Sequence, residues 1–304
     1  MHKLAFRAVL AGVMILGLLA TACGSSGGSG GGSKGTITIG GFNFPESSIL
    51  SYIYGGALKD SGYNVKYRLN LGARSIVGPA LEKGDIDMYV GYTASDLEFF
   101  DNKAGKAGGD AAKNADLLNG YLKPKGLEAL TPSKANDQNA WAVTKQEAQK
   151  HHLKTLSDLK PVASQYVLGG PSDCETRNDC LLGLEHVYGL HFKSFTRIDI
   201  DSPQMLDALE KGDIQVAEVF SSDGAVAARN FVVLDDDKHI VAADSVVPIG
   251  KTKALKGASS TLNGVSAKLT TADLLKMNKR AGVDKDDPDT IAADWLKGHG
   301  YKSS

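Results

Sequence analysis

The chain has 304 residues and a net charge of −1, from 34 Lys and Arg against 35 Asp and Glu. Charges of both signs are mixed along the chain without a basic tract, which argues against a nucleic-acid partner. After the N-terminal segment there is no further apolar run of the length that spans a membrane, about 20 residues, which excludes a channel or a permease.

The N-terminal segment has the layout of a secretory signal. Lys3 and Arg7 precede an unbroken apolar run over residues 8–20, and small residues then lead directly to Cys23. This ending resembles a bacterial lipobox, in which the Cys becomes the lipidated first residue after cleavage. We therefore predict a signal peptide over residues 1–22 and a lipid on Cys23.

The segment that follows Cys23 is rich in Gly and Ser and has no apolar surface to bury. Residues 23–34 are therefore predicted to be a flexible, lipid-anchored tether. This places the protein outside the cytoplasm, attached to the cell membrane through its lipid. The alternative is plain cleavage near Ala22, which would release a secreted protein without an anchor.

Short strands and helices alternate through both halves of the remaining chain. In the first half, strands are predicted over residues 36–41, 63–70 and 86–92, and helices over 47–59 and 75–83. In the second half, strands are predicted over residues 165–170, 192–200 and 214–220, and helices over 181–188 and 204–211. This alternation predicts an α/β fold with a mainly parallel sheet and flanking helices in each half.

An internal repeat supports two related lobes. Residues 80–87 read ALEKGDID, and residues 208–215 read ALEKGDIQ. Each copy closes a predicted helix with a Gly and leads into the third strand of its half. The alternative is a shared helix-ending sequence without common ancestry of the two halves.

Two segments on either side of the second half are predicted to be crossing strands that form a hinge: 129–143 and 239–248. The prediction assigns residues 35–138 and 246–304 to lobe one and 139–245 to lobe two. In open α/β sheets, ligands bind beyond the carboxyl ends of the strands. Two lobes that face each other in this way predict a ligand-binding cleft.

Cys174 and Cys180 are close together in a polar segment. In an exported protein such a pair predicts a disulfide. Metal binding by the pair is a weaker alternative, because the spacing does not suit a zinc knuckle.

Several motifs resemble one family. They are IGGFNFPE over residues 39–46, LNLG over 69–72, the repeat with the Met-Tyr that follows it, FSSDG over 220–224 and VLDDDKH over 233–239. Together they resemble the substrate-binding proteins of osmoprotectant ABC importers, which bind glycine betaine, carnitine or choline. The resemblance implies a two-lobed periplasmic-binding-protein fold of type II. It also implies delivery of a small molecule to an ABC permease.

The resemblance also implies an aromatic box that encloses a quaternary ammonium by cation–π attraction. The box tyrosine of the third strand is present as Tyr92, but Asn139, Leu206 and Asp244 stand where the other three are expected. We therefore expect weak or no binding of glycine betaine and choline, and a ligand with hydrogen-bond donors and acceptors of its own. Phe44 and Phe220 are expected to face the core.

The candidate ligand-binding residues are polar or aromatic side chains near the predicted strand ends and hinge: Phe42, Asn43, Arg74, Ser75, Tyr92, Thr93, Asn136, Asn139, Ser221 and Asp244. Glu218 lies within the last predicted strand of the second half, where it is expected to meet a basic group across the cleft or to face solvent.

No motif for catalysis, metal or cofactor binding is found in the sequence. We therefore expect a binding protein that is not an enzyme and acts as a monomer. A surface receptor that presents its ligand to a membrane sensor is the alternative function, and a structural lipoprotein is a weaker one.

Overall fold

The computed structural model describes residues 34–102, 105–200 and 202–302. The predicted signal peptide, Cys23 and all of the tether except Lys34 lie outside the described residues. Among the helices within these ranges, none is long and apolar enough to cross a membrane.

Ten strands in the described residues form two five-stranded sheets. They are β1 Thr36–Gly40, β2 Asn64–Arg68, β3 Met88–Tyr92, β4 Leu127–Ala129, β5 Asn139–Val143, β6 Val167–Gly170, β7 Ser194–Arg197, β8 Val216–Phe220, β9 Val232–Leu234 and β10 Val246–Lys251. The first sheet has the strand order β2-β1-β3-β10-β4, and the second has the order β7-β6-β8-β5-β9.

The two sheets repeat one pairing pattern. In the first sheet β1 pairs in parallel with β2 and β3, whereas β10 is antiparallel to β3 and β4. In the second, β6 pairs in parallel with β7 and β8, whereas β5 is antiparallel to β8 and β9. Each sheet is therefore mixed, with a parallel half and an antiparallel half, because one strand of each returns from the crossing segments.

Twelve α-helices in the described residues cover the sheets. They are α1 Pro45–Asp60, α2 Arg74–Lys83, α3 Thr93–Phe100, α4 Ala111–Leu122, α5 Lys145–His151, α6 Leu181–His186, α7 Pro203–Lys211, α8 Gly224–Ala228, α9 Thr252–Leu255, α10 Ser259–Ser266, α11 Thr271–Lys279 and α12 Pro288–Gly298. A π-helical turn, Arg280–Asp284, follows α11. The predicted helices match α1, α2, α6 and α7 to within two residues at each end.

The internal repeat occupies equivalent places in the two lobes. It ends α2 at Gly84 and α7 at Gly212, with φ angles of +89° and +79°. Glycine adopts this left-handed conformation without the steric cost that a Cβ adds. The shared Ile of each copy then packs on a glycine of the first strand, because a Cβ at Gly40 or Gly169 would lie 2.4 or 2.5 Å from that Ile side chain.

The crossing segments join the sheets as irregular chain more than as strands. Residues 130–138 connect β4 to β5, and residues 235–245 connect β9 to β10. The two segments pair with each other at a single bridge between Asn136 and Ser245. Regular pairing is lost here because each segment leaves one sheet before it enters the other.

The C-terminal helices share the core of the first sheet. Leu262 of α10 and Ile291 of α12 belong to the same buried cluster as Ile49 and Leu50 of α1. The second sheet has separate clusters, one around Trp141 and one around Leu209.

Candidate functional site

A cavity of about 480 Å³ lies where the ends of β1 and β8 meet the first crossing segment and the end of α11. This is the place at which ligands bind in open α/β folds. Its lining residues in the described chain are Phe44, Pro45, Glu46, Asp137, Phe220, Ser222, Asp223, Gly224, Ala225, Asn278, Ala281, Gly282 and Val283. Among these residues there is no Lys, Arg or His.

Glu46 lies in the first turn of α1 and is only 6% exposed. Its carboxylate accepts hydrogen bonds from the hydroxyl of Tyr92 and from the side-chain amide of Asn278. Burial raises the pKa of Glu46, although these hydrogen bonds act in the opposite direction. Burial thus affects the pKa of Glu46 more than its hydrogen bonds do.

Asp137 lies in the first crossing segment and contributes a second carboxylate to the cavity. It accepts a hydrogen bond of 2.6 Å from the Ser222 hydroxyl. Burial and then the nearby charge of Glu46 raise the pKa of Asp137 to about 7. Asp137 therefore lies within the electrostatic influence of Glu46.

Asn278 links the two sheets at the cavity wall. Its amide nitrogen donates to the Glu46 carboxylate and to the Ser222 carbonyl, the latter at 2.9 Å. Two acceptors on one side fix the orientation of the amide. Its carbonyl oxygen is buried and has no hydrogen-bond partner in the described residues.

A close contact between α8 and α11 closes one end of the cavity. A Cβ on Gly224 would lie 2.1 Å from the backbone nitrogen of Lys279. Only glycine permits this approach.

Phe44 and Phe220 line the cavity, so the expectation that they face the core is wrong. Phe44 is 38% exposed and stacks on Phe42, with ring centroids 5.6 Å apart and an interplanar angle of 6°. It also lies 6.4 Å from the ring of Tyr92. Phe44 is turned outward because it precedes α1 as the N-cap residue, after β1 has ended.

Arg74 is held within the first lobe. Its Nε lies 2.8 Å from the carboxylate of Asp96, and its guanidinium lies 5.2 Å from the ring of Phe42. The hydroxyl of Tyr89 donates to the same Asp96 oxygen. The Arg74–Asp96 pair thus holds the guanidinium by its Nε against a fully buried carboxylate.

Asp244 is 8% exposed and caps the N-terminus of α3. Its carboxylate accepts from the backbone nitrogens of Ala94 at 2.7 Å and Ser95 at 3.1 Å, and also from the Ser95 hydroxyl. Burial raises the pKa of Asp244 to about 7. This cap comes from a distant crossing segment, which accounts for an acidic residue at this position.

Three further candidate residues join the strand ends to the crossing segments. The Thr93 hydroxyl donates to the Ala243 carbonyl and accepts from Ser245. The Ser221 hydroxyl donates to the Asn136 carbonyl and accepts from Gln138. The side chain of Asn136 donates to Gln138 and accepts from the backbone of Asp244.

The remaining positions lie at the rim or in the second lobe. Asn43 and Ser75 are exposed, and Asn139 is half-buried in β5, opposite Phe220 of β8. Leu206 is 4% exposed and belongs to a buried hydrophobic cluster of the second sheet.

Cys174 and Cys180 form the predicted disulfide. Glu218 lies beside it, with a carboxylate oxygen 3.1 Å from the Cys180 sulfur. The prediction that Glu218 meets a basic group across the cleft or faces solvent is wrong. Its side chain is fully buried and pairs at 3.1 Å with Arg177 of its own lobe.

Sequence reasoning did not select Glu46, Asp137, Ser222 or Asn278. Asp137 and Ser222 lie directly beside the selected Asn136 and Ser221, and Glu46 lies three residues after Asn43, but only the fold brings these side chains to one cavity. Asn278 carried no signal, since it is one polar residue in a C-terminal helix.

The sequence profile described as "Substrate binding domain of ABC-type glycine betaine transport system" matches residues 35–298. The chain belongs to this family. Its members bind a small ligand outside the cytoplasm and deliver it to the permease of an ABC importer. The protein is therefore the solute-binding component of such an importer, and the family is a transport family.

Relatives of this binding protein share about a quarter of its residues. Carnitine transport binding protein OpuCC of Listeria monocytogenes is 27% identical over 286 residues, which cover 90% of each chain. The glycine-betaine-binding protein of Pseudomonas aeruginosa is 26% identical, over 87% of this chain and 88% of its own.

A solved structure titled "Crystal structure of glycine betaine/carnitine/choline ABC transporter" superposes with a TM-score of 0.79 at 26% identity. It covers 87% of this chain and 99% of its own. The predicted two-lobed periplasmic-binding-protein fold is thereby confirmed.

Proposed function

We propose that this solute-binding protein captures a small organic cation without a carboxylate in the cavity between Phe44 and Phe220. The observation that carries the proposal is the composition of the cavity wall. Carboxylates of Glu46 and Asp137 face it together with the two aromatic rings, and no basic residue of the described chain lines it.

A cation fits this wall for two physical reasons. Its charge compensates carboxyl groups whose pKa values are raised by burial. Its apolar surface packs on the exposed phenylalanine rings, where each cation–π contact contributes about 0.5–2 kcal/mol. Relatives named for glycine betaine and carnitine also take ligands with a positively charged nitrogen.

The carboxylate of glycine betaine or carnitine lacks a partner at this wall. Arg74, the basic residue selected from the sequence, does not line the cavity and pairs through Nε with Asp96. Burial of an unpaired carboxylate beside two others is costly. The expectation of weak glycine betaine binding thus stays a prediction, now supported by charge as well as by the incomplete aromatic box.

A thermal-shift and calorimetry panel tests the proposal with choline, dimethylaminoethanol, glycine betaine and carnitine. A ligand at 100 times its Kd adds about 2.7 kcal/mol of stability. For a protein of this size that raises Tm by about 5–10 °C. We expect this rise for a cation without a carboxylate and a much smaller one for glycine betaine and carnitine at equal concentration. Tightest binding by glycine betaine would contradict the proposal.

We further propose that lobe one comprises residues 35–138 and 246–304, that lobe two comprises 139–245, and that ligand closes them about the crossing segments. A smaller radius of gyration with ligand, measured by small-angle scattering, would support closure. We also propose that the mature protein is a lipid-anchored monomer that catalyses no reaction and binds no nucleic acid.

Membrane fractionation of a Cys23→Ser variant tests the anchor, and release from the membrane is the expected result. Presentation of ligand to a sensor has no support in the relatives described above, which are named as binding proteins for carnitine transport or for glycine betaine.

A further inference from the structure

We infer that Glu46 and Asp137 select a cation that carries at least one N–H group over a fully methylated ammonium. The inference rests on the proposed function and specifies which cations the cavity prefers. Its starting point is the balance of donors and acceptors at the cavity wall.

The side-chain donors that reach the carboxylates of Glu46 and Asp137 in the described residues are part of the protein itself. The Tyr92 hydroxyl and the Asn278 amide donate to Glu46. The Ser222 hydroxyl donates to Asp137. The wall of the cavity therefore presents acceptors, and the donors must come from the ligand.

The side chain of Asn278 cannot supply a donor to the ligand. Its amide nitrogen faces two acceptors and cannot exchange places with the carbonyl oxygen, which is buried and has no partner among the described residues. A ligand N–H can donate to the carboxylates of the cavity, whereas a quaternary ammonium has no proton to donate.

The two carboxylates strengthen the preference. A charge-assisted hydrogen bond from an N–H⁺ to a carboxylate is shorter and stronger than a contact without a shared proton. A methylated ammonium also holds the carboxylate oxygens farther from the positive nitrogen. Both effects increase in a partly buried cavity, where water competes less.

Choline and dimethylaminoethanol form a matched pair for the test, because they differ by one methyl group on the nitrogen. Calorimetry at about pH 8 lies above the raised pKa of Asp137, about 7, so that this carboxylate is ionised. We expect dimethylaminoethanol to bind the parent protein at least tenfold more tightly than choline.

Three variants then test whether the two carboxylates cause the preference for dimethylaminoethanol over choline. Asp137→Asn and Glu46→Gln remove a charge but keep the shape, and each should reduce the ratio of the two Kd values to about threefold or less. Asp213→Asn is the matched control, since Asp213 is exposed and does not line the cavity. It should keep the parent ratio. If Glu46→Gln fails to fold, as judged by circular dichroism, Asp137→Asn decides alone.

Equal affinity for the two amines, or a ratio that both variants leave unchanged, overturns the inference while the proposed function stands. A panel in which neither amine raises Tm, and an uncharged or anionic compound does, overturns the proposed function and the inference together.

Discussion

Asp244 and Asp137 are carboxylates in the two crossing segments, and they play different parts. Asp244 faces α3, where it accepts from two backbone nitrogens and the Ser95 hydroxyl. Asp137 accepts from the Ser222 hydroxyl and lines the cavity. Burial raises the pKa of both to about 7. The difference lies in their partners, because Asp244 accepts from the N-terminus of a helix whereas Asp137 accepts from Ser222 alone among the described residues.

Equivalent hydroxyl groups in the two lobes bind the crossing segments that contain these carboxylates. Thr93 and Ser221 come at the same distance after the two copies of the repeat, and each hydroxyl binds one crossing segment. Thr93 binds the segment that contains Asp244, and Ser221 binds the one that contains Asp137. In both lobes, a hydroxyl group after the third strand thus binds a crossing segment. Of the two carboxylates in these segments, that of Asp137 lines the cavity.

The largest expected effect is the difference in stability between variants that lack the Asp244 carboxylate and variants that lack the Asp137 carboxylate. Asp244→Ala removes the acceptor of two backbone N–H groups at α3 and should lower the free energy of unfolding by about 2–3 kcal/mol. Asp137→Ala removes one hydroxyl contact and should cost about 1 kcal/mol or less. Urea denaturation at neutral pH measures both. Equal losses would show that the two carboxylates do not differ in the way proposed.

A second prediction concerns pH. Because the pKa of Asp137 rises from 3.8 to about 7 on folding, the folded state binds more protons between these values. The contribution of Asp137 to the free energy of unfolding of the parent protein should therefore fall as pH rises from about 4 to about 7, and it should stay level above pH 7.

The Asp137→Asn variant lacks this titration. Its free energy of unfolding should gain at least about 1.4 kcal/mol relative to the parent over the same interval, the equivalent of one pKa unit. Denaturation curves recorded across the interval provide the comparison. Parallel pH profiles of the two proteins would contradict the assignment.

The smallest expected effect concerns the hydroxyl groups of Thr93 and Ser221, which bind the two crossing segments. Thr93 is fully buried, whereas Ser221 is half-buried. Thr93→Val should cost about 1–2 kcal/mol, since the Ser245 N–H loses its acceptor in the interior, and Ser221→Ala should cost about 0.5–1 kcal/mol. The double variant should show additive losses in urea denaturation, because the two hydroxyl groups share no side-chain partner. A larger loss of unfolding free energy for Ser221→Ala than for Thr93→Val would contradict this prediction.

Local sequence patterns predicted much of this fold. Helix ends at Gly84 and Gly212 depend on one residue's conformational freedom, so the chain alone reveals them. The disulfide followed from export and proximity along the chain. The motifs around residues 39–46 and 80–87 indicated the family, which the profile match confirmed.

The candidate site was predicted less well, and particular residues show why. Asp244 looked available for ligand because its partner helix, α3, is far away in sequence. Phe44 looked like a core residue because it follows a buried strand, yet it turns outward before α1. Glu218 was placed at the cleft or in solvent because its partner Arg177 lies on another element.

The sequence by itself determined the elements, the two-lobed architecture and the family, because helix stops, apolar periodicity and motifs act over short stretches of chain. Only the tertiary structure decided which polar groups remain available at the cavity. Hydrogen-bond partners such as Tyr92 with Glu46 and Asn278 with Ser222 are distant in sequence. A side chain's availability for ligand depends on these partners, and no local pattern records them.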